Sequence, residues 1–295
     1  MHHITVKPIL YGSIAASLTG IPRVINNFTG LGYLFSDGAR AAWLRRILLP
    51  VFRWALHERG FHTVFLSEFD RSRMVELEIV KQENTTIIPS EGVNLDLYHP
   101  NRQTGGEQGA LVVLMAARLL WDKGVREFVE ASGRIKERHP DVEFWLAGQR
   151  DRGNPACIPE DVIQSWQDDG RVTFLNHRED MPVLLRKVDI AVLPSYHEGL
   201  PAFLLEAAAS GLPLVATDIS GCDLIVEDGK NGFLVSTKDV SALENAICKL
   251  LDDPGLRRKM GERSRAIVQE RYSQEASIDQ FLSLYRDLDI LPDPH

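Results

Sequence analysis

Cysteine is scarce in this chain. The three present, Cys157, Cys222 and Cys248, are too few and too scattered for a disulfide framework or a zinc site, and they read most simply as thiols of a reducing cytoplasm. Long apolar runs are missing as well: GALVVLMAA (109–117) falls far short of the ~20 residues that span a bilayer. The opening MHHITVKPILYGSIAASLTG makes a poor secretory signal, because Lys7 is its one early cation and Gly12 and Ser13 break its apolar stretch. It reads better as strand, loop and helix of a folded domain. Excess positive charge is absent too. Lys and Arg number 33 against 41 Asp and Glu, a formal net charge of −8, which argues against a nucleic-acid partner. Neither G-x-G-x-x-G nor G-x-x-x-x-G-K-S/T occurs; the nearest approach, GLG at 30–32, lacks the third glycine, so a dinucleotide oxidoreductase and a P-loop nucleotidase are disfavoured. No repeat of 20–50 residues is visible.

What remains is an ordinary globular mixture, 44% hydrophobic and 25% charged over 295 residues, long enough for two domains. From residue 110 onward, short apolar runs alternate with amphipathic stretches. ALVVLMAAR (110–118), VEFWLAG (142–148), RVTFLN (171–176), DIAVLPS (189–195), LPLVATD (212–218) and GFLV (232–235) read as buried strands. Helices are expected over 122–139, near 160–168, over 180–188 and 201–210, over 240–253, and twice more towards 289. Apolar runs separated by helices indicate parallel strands in a doubly wound α/β domain. Residues 1–95 alternate too, with strands at HITV, RVIN, TVFLSE (63–68) and NTTIIP (84–89). The turn-rich IPSEGVNLDLYHP (88–100) and polar NRQTGGEQG (101–109) look like a connection. The expected organisation is a partial first domain over 1–100, a second over 101–273, and a helix and tail over 274–295 that packs back on the first.

The chemistry concentrates at strand ends. PSYHEGLPAFLLEAAASGLPLVATD (194–218) starts at the carboxyl end of a strand, where open α/β sheets hold ligands. Gly199 allows close backbone approach and Pro201 suits a first helical turn, whose free amides and dipole favour a phosphate. Glu198 and Glu206, spaced E-x7-E, can turn to one crevice and accept sugar hydroxyls; alone, such a pair is more often solvated. It does not stand alone, because LMAARLLWDKG (114–124) places Arg118 and Lys123 at another strand's carboxyl end, two cations suited to a diphosphate. Cations for diphosphate and carboxylates for hydroxyls together describe a nucleotide-sugar site.

These segments resemble the retaining glycosyltransferases of family four, which have the GT-B fold of two Rossmann-like domains facing a cleft. The resemblance covers roughly 85–285 and rests on AARLLWDKG, FLNHREDMP (174–182), EGLPAFLLE, SGLPLVATDISGCDLIVEDGKNGFLV (210–235) and MGERSRAIVQERYS (260–273). It implies that Arg118 and Lys123 bind the donor diphosphate, Glu206 the ribose hydroxyls, and Glu198 the hexose hydroxyls, with the backbone of Gly199 and Leu200 beside it. The stretch from Arg171 through Phe174 to Asn176 would line the base. Arg118, Lys123 and Glu198 would form the catalytic set. No strand-end DxD is present, Asp287 and Asp289 lying near the carboxyl terminus, so no metal or other cofactor is expected. The family's mechanism, front-face attack through an oxocarbenium-like state with the leaving phosphate taking the acceptor proton, needs no protein nucleophile.

The segment HHITVKPILYGSIAASLTGIPRVINNFTGLGYLF (2–35) is similar to a narrower set that extends polyprenyl-diphosphate-linked oligosaccharides from UDP-sugars, often N-acetylated hexosamines, for surface polysaccharide or glycan precursors. It would place Thr29, Gly30, Leu31 and Gly32 in an acceptor-side loop, with His2, Thr5 and Lys7 nearby. In that set the HHITVKP-like segment comes midway through the first domain, so this chain is expected to lack the domain's first strands and its Gly-rich phosphate loop. Asn94 stands where Asp is usual, and His197 where Arg is commoner. Residues 38–60 carry Arg40, Arg45, Arg46, Arg53 and Arg59 against Glu58, interleaved with Trp43, Leu44, Ile47, Leu48, Val51, Phe52, Trp54 and Leu56. That reads as contact with an anionic membrane surface, or as a core helix with solvated arginines. The expectation is a peripheral enzyme at the cytoplasmic face of the inner membrane. The alternatives are a UDP-sugar-binding fragment without turnover and another GT-B enzyme such as a UDP-sugar epimerase.

Overall fold

A computed structural model describes residues 1–30, 39–58, 60–89, 92–100 and 109–291, excepting the side chains of 39–45 and 47. The chain divides into two compact units, Met1–Gly92 with Gln274–His295, and Val93–Ser273.

The first unit holds a parallel sheet in the order β1-β2-β3-β4, built from His2–Ile4, Val24–Phe28, Phe61–Phe65 and Thr85–Ile87. Helices α1 (Val6–Thr19), α2 (Ala39–Leu56) and α3 (Glu68–Glu76) connect them. Strand alternation sorts the core. Phe28 and Phe65, stacked at 5.4 Å, join Ile9, Phe52, Leu56 and Met74 beneath the connecting helices. Ile25, Val64 and Ile88 pack against Phe281, Leu284 and Tyr285 of the last helix. A strand over 63–68 is corrected to Phe61–Phe65, because Ser67 caps α3 by accepting the Asp70 amide at 3.1 Å. The basic segment 38–60 contributes α2, which runs through Pro50. Of its apolar residues Phe52 and Leu56 belong to the core, Trp54 is half exposed, and Arg53 donates to the Leu77 carbonyl at 2.9 and 2.8 Å. Gly38, Arg59 and the side chains of Arg40, Trp43, Leu44, Arg45 and Ile47 lie outside the described residues.

The second unit is a six-stranded parallel sheet of β5 (Val112–Ala116), β6 (Glu143–Ala147), β7 (Thr173–Asn176), β8 (Ile190–Leu193), β9 (Leu214–Thr217) and β10 (Gly232–Val235). Its order, β10-β9-β8-β5-β6-β7, is the doubly wound order of mononucleotide-binding halves. Both faces are covered, which is why the strands read as continuous apolar runs. Val113 and Met115 turn to the face carrying α4 (Val125–Lys136), α5 (Glu160–Asp168) and α8 (Val240–Asp252). Val112 and Leu114 turn to the face carrying α6 (Met181–Leu185), α7 (Ala202–Ala209) and α9 (Pro254–Arg271). The helix expected over 122–139 is interrupted: a single 3-10 turn, Trp121–Lys123, precedes Gly124 before α4 starts. The expected final helix is α10 (Gln274–Asp287).

Residues 93–100 are strapped to the second unit. Val93 donates its amide to the Tyr272 carbonyl at 2.9 Å, and the Arg265 guanidinium donates to the carbonyls of Leu95, Tyr98 and Ala209. Most of the expected polar connection, 101–108, lies outside the described residues.

Two histidines make the first unit sensitive to acid. Burial, aided by His3 and the terminal ammonium, holds the His2 imidazole below its ordinary value, and burial does the same for His62. The unfolded chain therefore binds these protons more readily, and stability rises with pH across the interval below the ordinary histidine value of about 6.5. It is full above that value and lost as pH falls through it towards the lower folded values. The thermal midpoint is expected to drop between about pH 7.5 and about pH 5.5, and the double variant His2→Asn, His62→Asn to show a shallower slope. Identical slopes in scanning calorimetry would contradict this.

Candidate functional site

Strands β5 and β8 are neighbours, Val113 opposite Ile190, and from them the sheet is wound in opposite directions. The loops leaving their carboxyl ends therefore diverge and leave a crevice at the switch point. Gly124 brings the two loops into contact. It has φ of 72°, in the left-handed region that glycine enters freely, and a Cβ there would lie 2.0 Å from the Pro194 carbonyl oxygen. The Tyr196 amide donates to the Asp122 carbonyl at 2.8 Å, a second tie between the loops.

This seam joins two of the four charged residues expected from the sequence. Lys123 Nζ stands 2.7 Å from Glu198 Oε1, with only 15% and 13% of the two side chains exposed. Ser195 Oγ donates to the same carboxylate oxygen at 2.6 Å, and the Ser195 carbonyl accepts the Thr217 hydroxyl. Glu198 is thus held by a cation and a fully buried hydroxyl. Gly199 is seated from the other side: a Cβ on Gly221, at φ 96°, would fall 2.2 Å from its carbonyl oxygen. Leu200 packs partly buried on the core. Beside the pair, burial pushes the Cys222 thiol up, the Glu198 and Asp223 carboxylates add to the shift, and Lys123 opposes it.

Tyr196 braces the seam. Its hydroxyl donates to Glu127 Oε1, in the first turn of α4, at 2.7 Å, and Lys238 lies 4.9 Å over its ring. Burial first, then the Glu127 carboxylate, raises the phenol above its ordinary value and keeps it a donor. Ser195, Tyr196, Glu127 and Thr217 escaped the sequence reading. The signal for Ser195 was present, a serine three residues before Glu198 in a tight turn.

The other candidates have separate partners. Arg118 pairs with Asp151 at 2.9 Å and is 56% exposed, so solvent weakens that pair and leaves the guanidinium exchangeable. Glu206, on α7, meets the Tyr98 hydroxyl; burial raises its carboxyl above the ordinary value and the Tyr98 hydrogen bond opposes this. Arg171 precedes β7, at the edge opposite the crevice. It packs on Gly133 of α4 and pairs with Asp169 at 3.2 Å, so the structure does not bring it to the carboxyl ends. Phe174 is half buried on β7 against the core, and Asn176, at the strand's carboxyl end, accepts the Gly148 amide at 2.8 Å.

In the first unit, Thr5 follows β1 and Thr29 and Gly30 follow the adjacent β2, so the structure puts them at one sheet edge. Thr5 has φ 72° and ψ 157°, a strained conformation for a β-branched residue, held by its amide on the Asn27 carbonyl and its carbonyl on the Ile9 amide. Lys7 is exposed in the first turn of α1. His2 begins β1 and hydrogen-bonds the Tyr285 hydroxyl at 2.7 Å, away from that edge. Leu31 and Gly32 lie outside the described residues. Among the described residues, no cluster of three or more His, Cys, Asp or Glu is placed to hold a metal, and no helix is long and apolar enough to cross a membrane.

Residues 110–253 match the family model "Glycosyl transferases group 1". The chain is 30% identical over 290 residues to the N,N'-diacetylbacillosaminyl-diphospho-undecaprenol alpha-1,3-N-acetylgalactosaminyltransferase of Campylobacter jejuni, covering 95% of this chain and 74% of that protein. It is 26% identical over 305 residues to the UDP-Gal:alpha-D-GlcNAc-diphosphoundecaprenol alpha-1,3-galactosyltransferase of Escherichia coli, covering 98% and 75%. Among solved structures, sucrose-phosphate synthase of Thermosynechococcus elongatus superposes with a TM-score of 0.79 at 25% identity over 97% of this chain and 73% of that one. Anabaena HepE in complex with UDP superposes at 0.81, with 21% identity over 97% and 79%, a likeness of fold.

The seam rests on Gly124. Gly124→Ala is expected to lower stability by ~2 kcal/mol or more, from the left-handed backbone and the Pro194 contact together. A denaturant midpoint equal to that of the parent chain would show that the loops are joined otherwise.

Proposed function

The chain belongs to the glycosyl transferases of group 1, and from that premise we propose that it moves a hexose or N-acetylhexosamine from a UDP-sugar to a saccharide carried on a polyprenyl diphosphate, retaining the anomeric configuration. The named activities of the Campylobacter jejuni and Escherichia coli relatives, both on undecaprenyl-diphosphate-linked sugars, support the acceptor class. The observation that carries the reading is the largely shielded Lys123–Glu198 pair at the switch point, a diphosphate-seeking cation and a hydroxyl-seeking carboxylate side by side.

On this reading Lys123 and the exchangeable Arg118 meet the negative charge that builds on the departing UDP, electrostatic help given where charge develops. Glu198 accepts hydrogen bonds from hexose hydroxyls, beside the backbone of Gly199 and Leu200, and Glu206 accepts from the ribose. The acceptor oxygen bonds to the anomeric carbon as the bond to the phosphate oxygen breaks, and the acceptor proton passes to that phosphate. Thr5, Lys7, Thr29 and Gly30 supply polar groups on the acceptor side. The lipid-linked acceptor would be met at the cytoplasmic face of a membrane, with Arg46 and Trp54, exposed on α2, touching anionic lipid.

Transfer is tested with UDP-sugar donors and a polyprenyl-diphosphate-linked acceptor, following glycolipid product and released UDP together. Lys123→Ala and Glu206→Ala are each expected to lower kcat/KM by ~100-fold or more through loss of one transition-state contact. Near-parental turnover in either variant contradicts the role given to that residue, and UDP release without glycolipid product points to hydrolysis. Liposome co-sedimentation should rise with anionic lipid and fall with salt; indifference to both removes the membrane contact.

A further inference from the structure

Lys123 and Glu198 are each other's partner before they are anything else's. Their 2.7 Å contact lies mostly out of solvent, and Ser195 gives the carboxylate its second donor at 2.6 Å. A buried ion pair that loses one member leaves an uncompensated charge, which is far more costly than losing a surface pair. Any anion that takes Lys123 must therefore leave Glu198 short of a partner, or lie beside its negative charge.

Resting on the reading of this edge as the UDP-sugar site, we propose that Glu198 competes internally with the diphosphate for Lys123, so that the site favours the intact sugar nucleotide over the nucleoside diphosphate left after transfer. The two ligands differ in what they return to Glu198. An intact donor brings hexose hydroxyls, whose protons can replace the ammonium at the carboxylate while the phosphates take Lys123. UDP takes Lys123 and returns nothing, leaving Glu198 with Ser195 alone. Once the hexose has gone to the acceptor, the carboxylate recaptures the ammonium and UDP is released. The surrounding seam makes the competition sharp. Gly124 on Pro194, Tyr196 on Asp122 and Thr217 on Ser195 hold both loops in place, so Glu198 cannot simply swing to water.

The test compares the parent chain with Glu198→Gln, which keeps the side chain's size and an acceptor for Ser195 but removes the charge. Calorimetry is run with UDP and with uridine, which lacks the diphosphate and reports on the nucleoside site and the fold. The expected result is UDP binding tightened tenfold or more, about 1.4 kcal/mol, with uridine binding unchanged. UDP binding that stays equal or weakens in the variant overturns the competition, while parental UDP binding leaves the nucleotide-site reading standing. An equal change for UDP and uridine also overturns it, since the effect would then lie at the nucleoside. Failure of the parent chain to bind UDP at all overturns the site reading and this inference with it.

Discussion

The approach of two strand-exit loops at the β5–β8 junction is the constraint on which the site depends. Parallel strands put their carboxyl ends on one edge, and reversal of winding leaves two loops facing there with no strand between them. They can touch only because Gly124 presents no side chain to the Pro194 carbonyl. From that contact follow the Tyr196–Asp122 backbone bond, the Lys123–Glu198 pair, and the buried hydroxyl of Ser195 behind Glu198. A cation and a carboxylate fixed in this way are set in place by the protein's own contacts, at the edge where open α/β sheets hold ligands.

The rest of the second unit keeps that junction rigid. Apolar side chains alternate to two covered faces, and the strand-to-helix turns are tied by polar contacts that reach across sequence, Tyr196 to Glu127 and Thr217 to Ser195. The strap over 93–100 adds a further tie, with Arg265 satisfying three backbone carbonyls and Tyr98 reaching Glu206. Glu206 thus carries a protein hydrogen bond at a partly buried carboxyl. The first unit is organised by the same logic, with aromatic stacking under its connecting helices and α10 on the opposite face.

Much of this was legible from residue order. Apolar runs of four to eight residues between amphipathic stretches located the six strands of the second unit, because a strand covered on both faces has no polar side to show. The pairing of Arg118 and Lys123 with an E-x7-E spacing is the basis on which a nucleotide-sugar ligand is proposed, since diphosphates and hydroxyls call for different partners. Boundaries were less legible. Ser67 withdrew from a strand to cap a helix, and Gly124 split a helix that periodicity ran through.

What residue order determined, then, was the element types, the alternating α/β plan and the chemistry gathered at strand ends, all of them consequences of local spacing. Which strand ends are neighbours was decided by tertiary structure alone, since β5 and β8 are joined by hydrogen bonds between residues far apart in sequence. The same holds for individual side chains. Lys123 found Glu198, while Arg118 turned to Asp151 and Arg171 remained at the opposite edge against α4. A charge's partner is set by distance and burial in three dimensions, and those exist only once the sheet has been ordered.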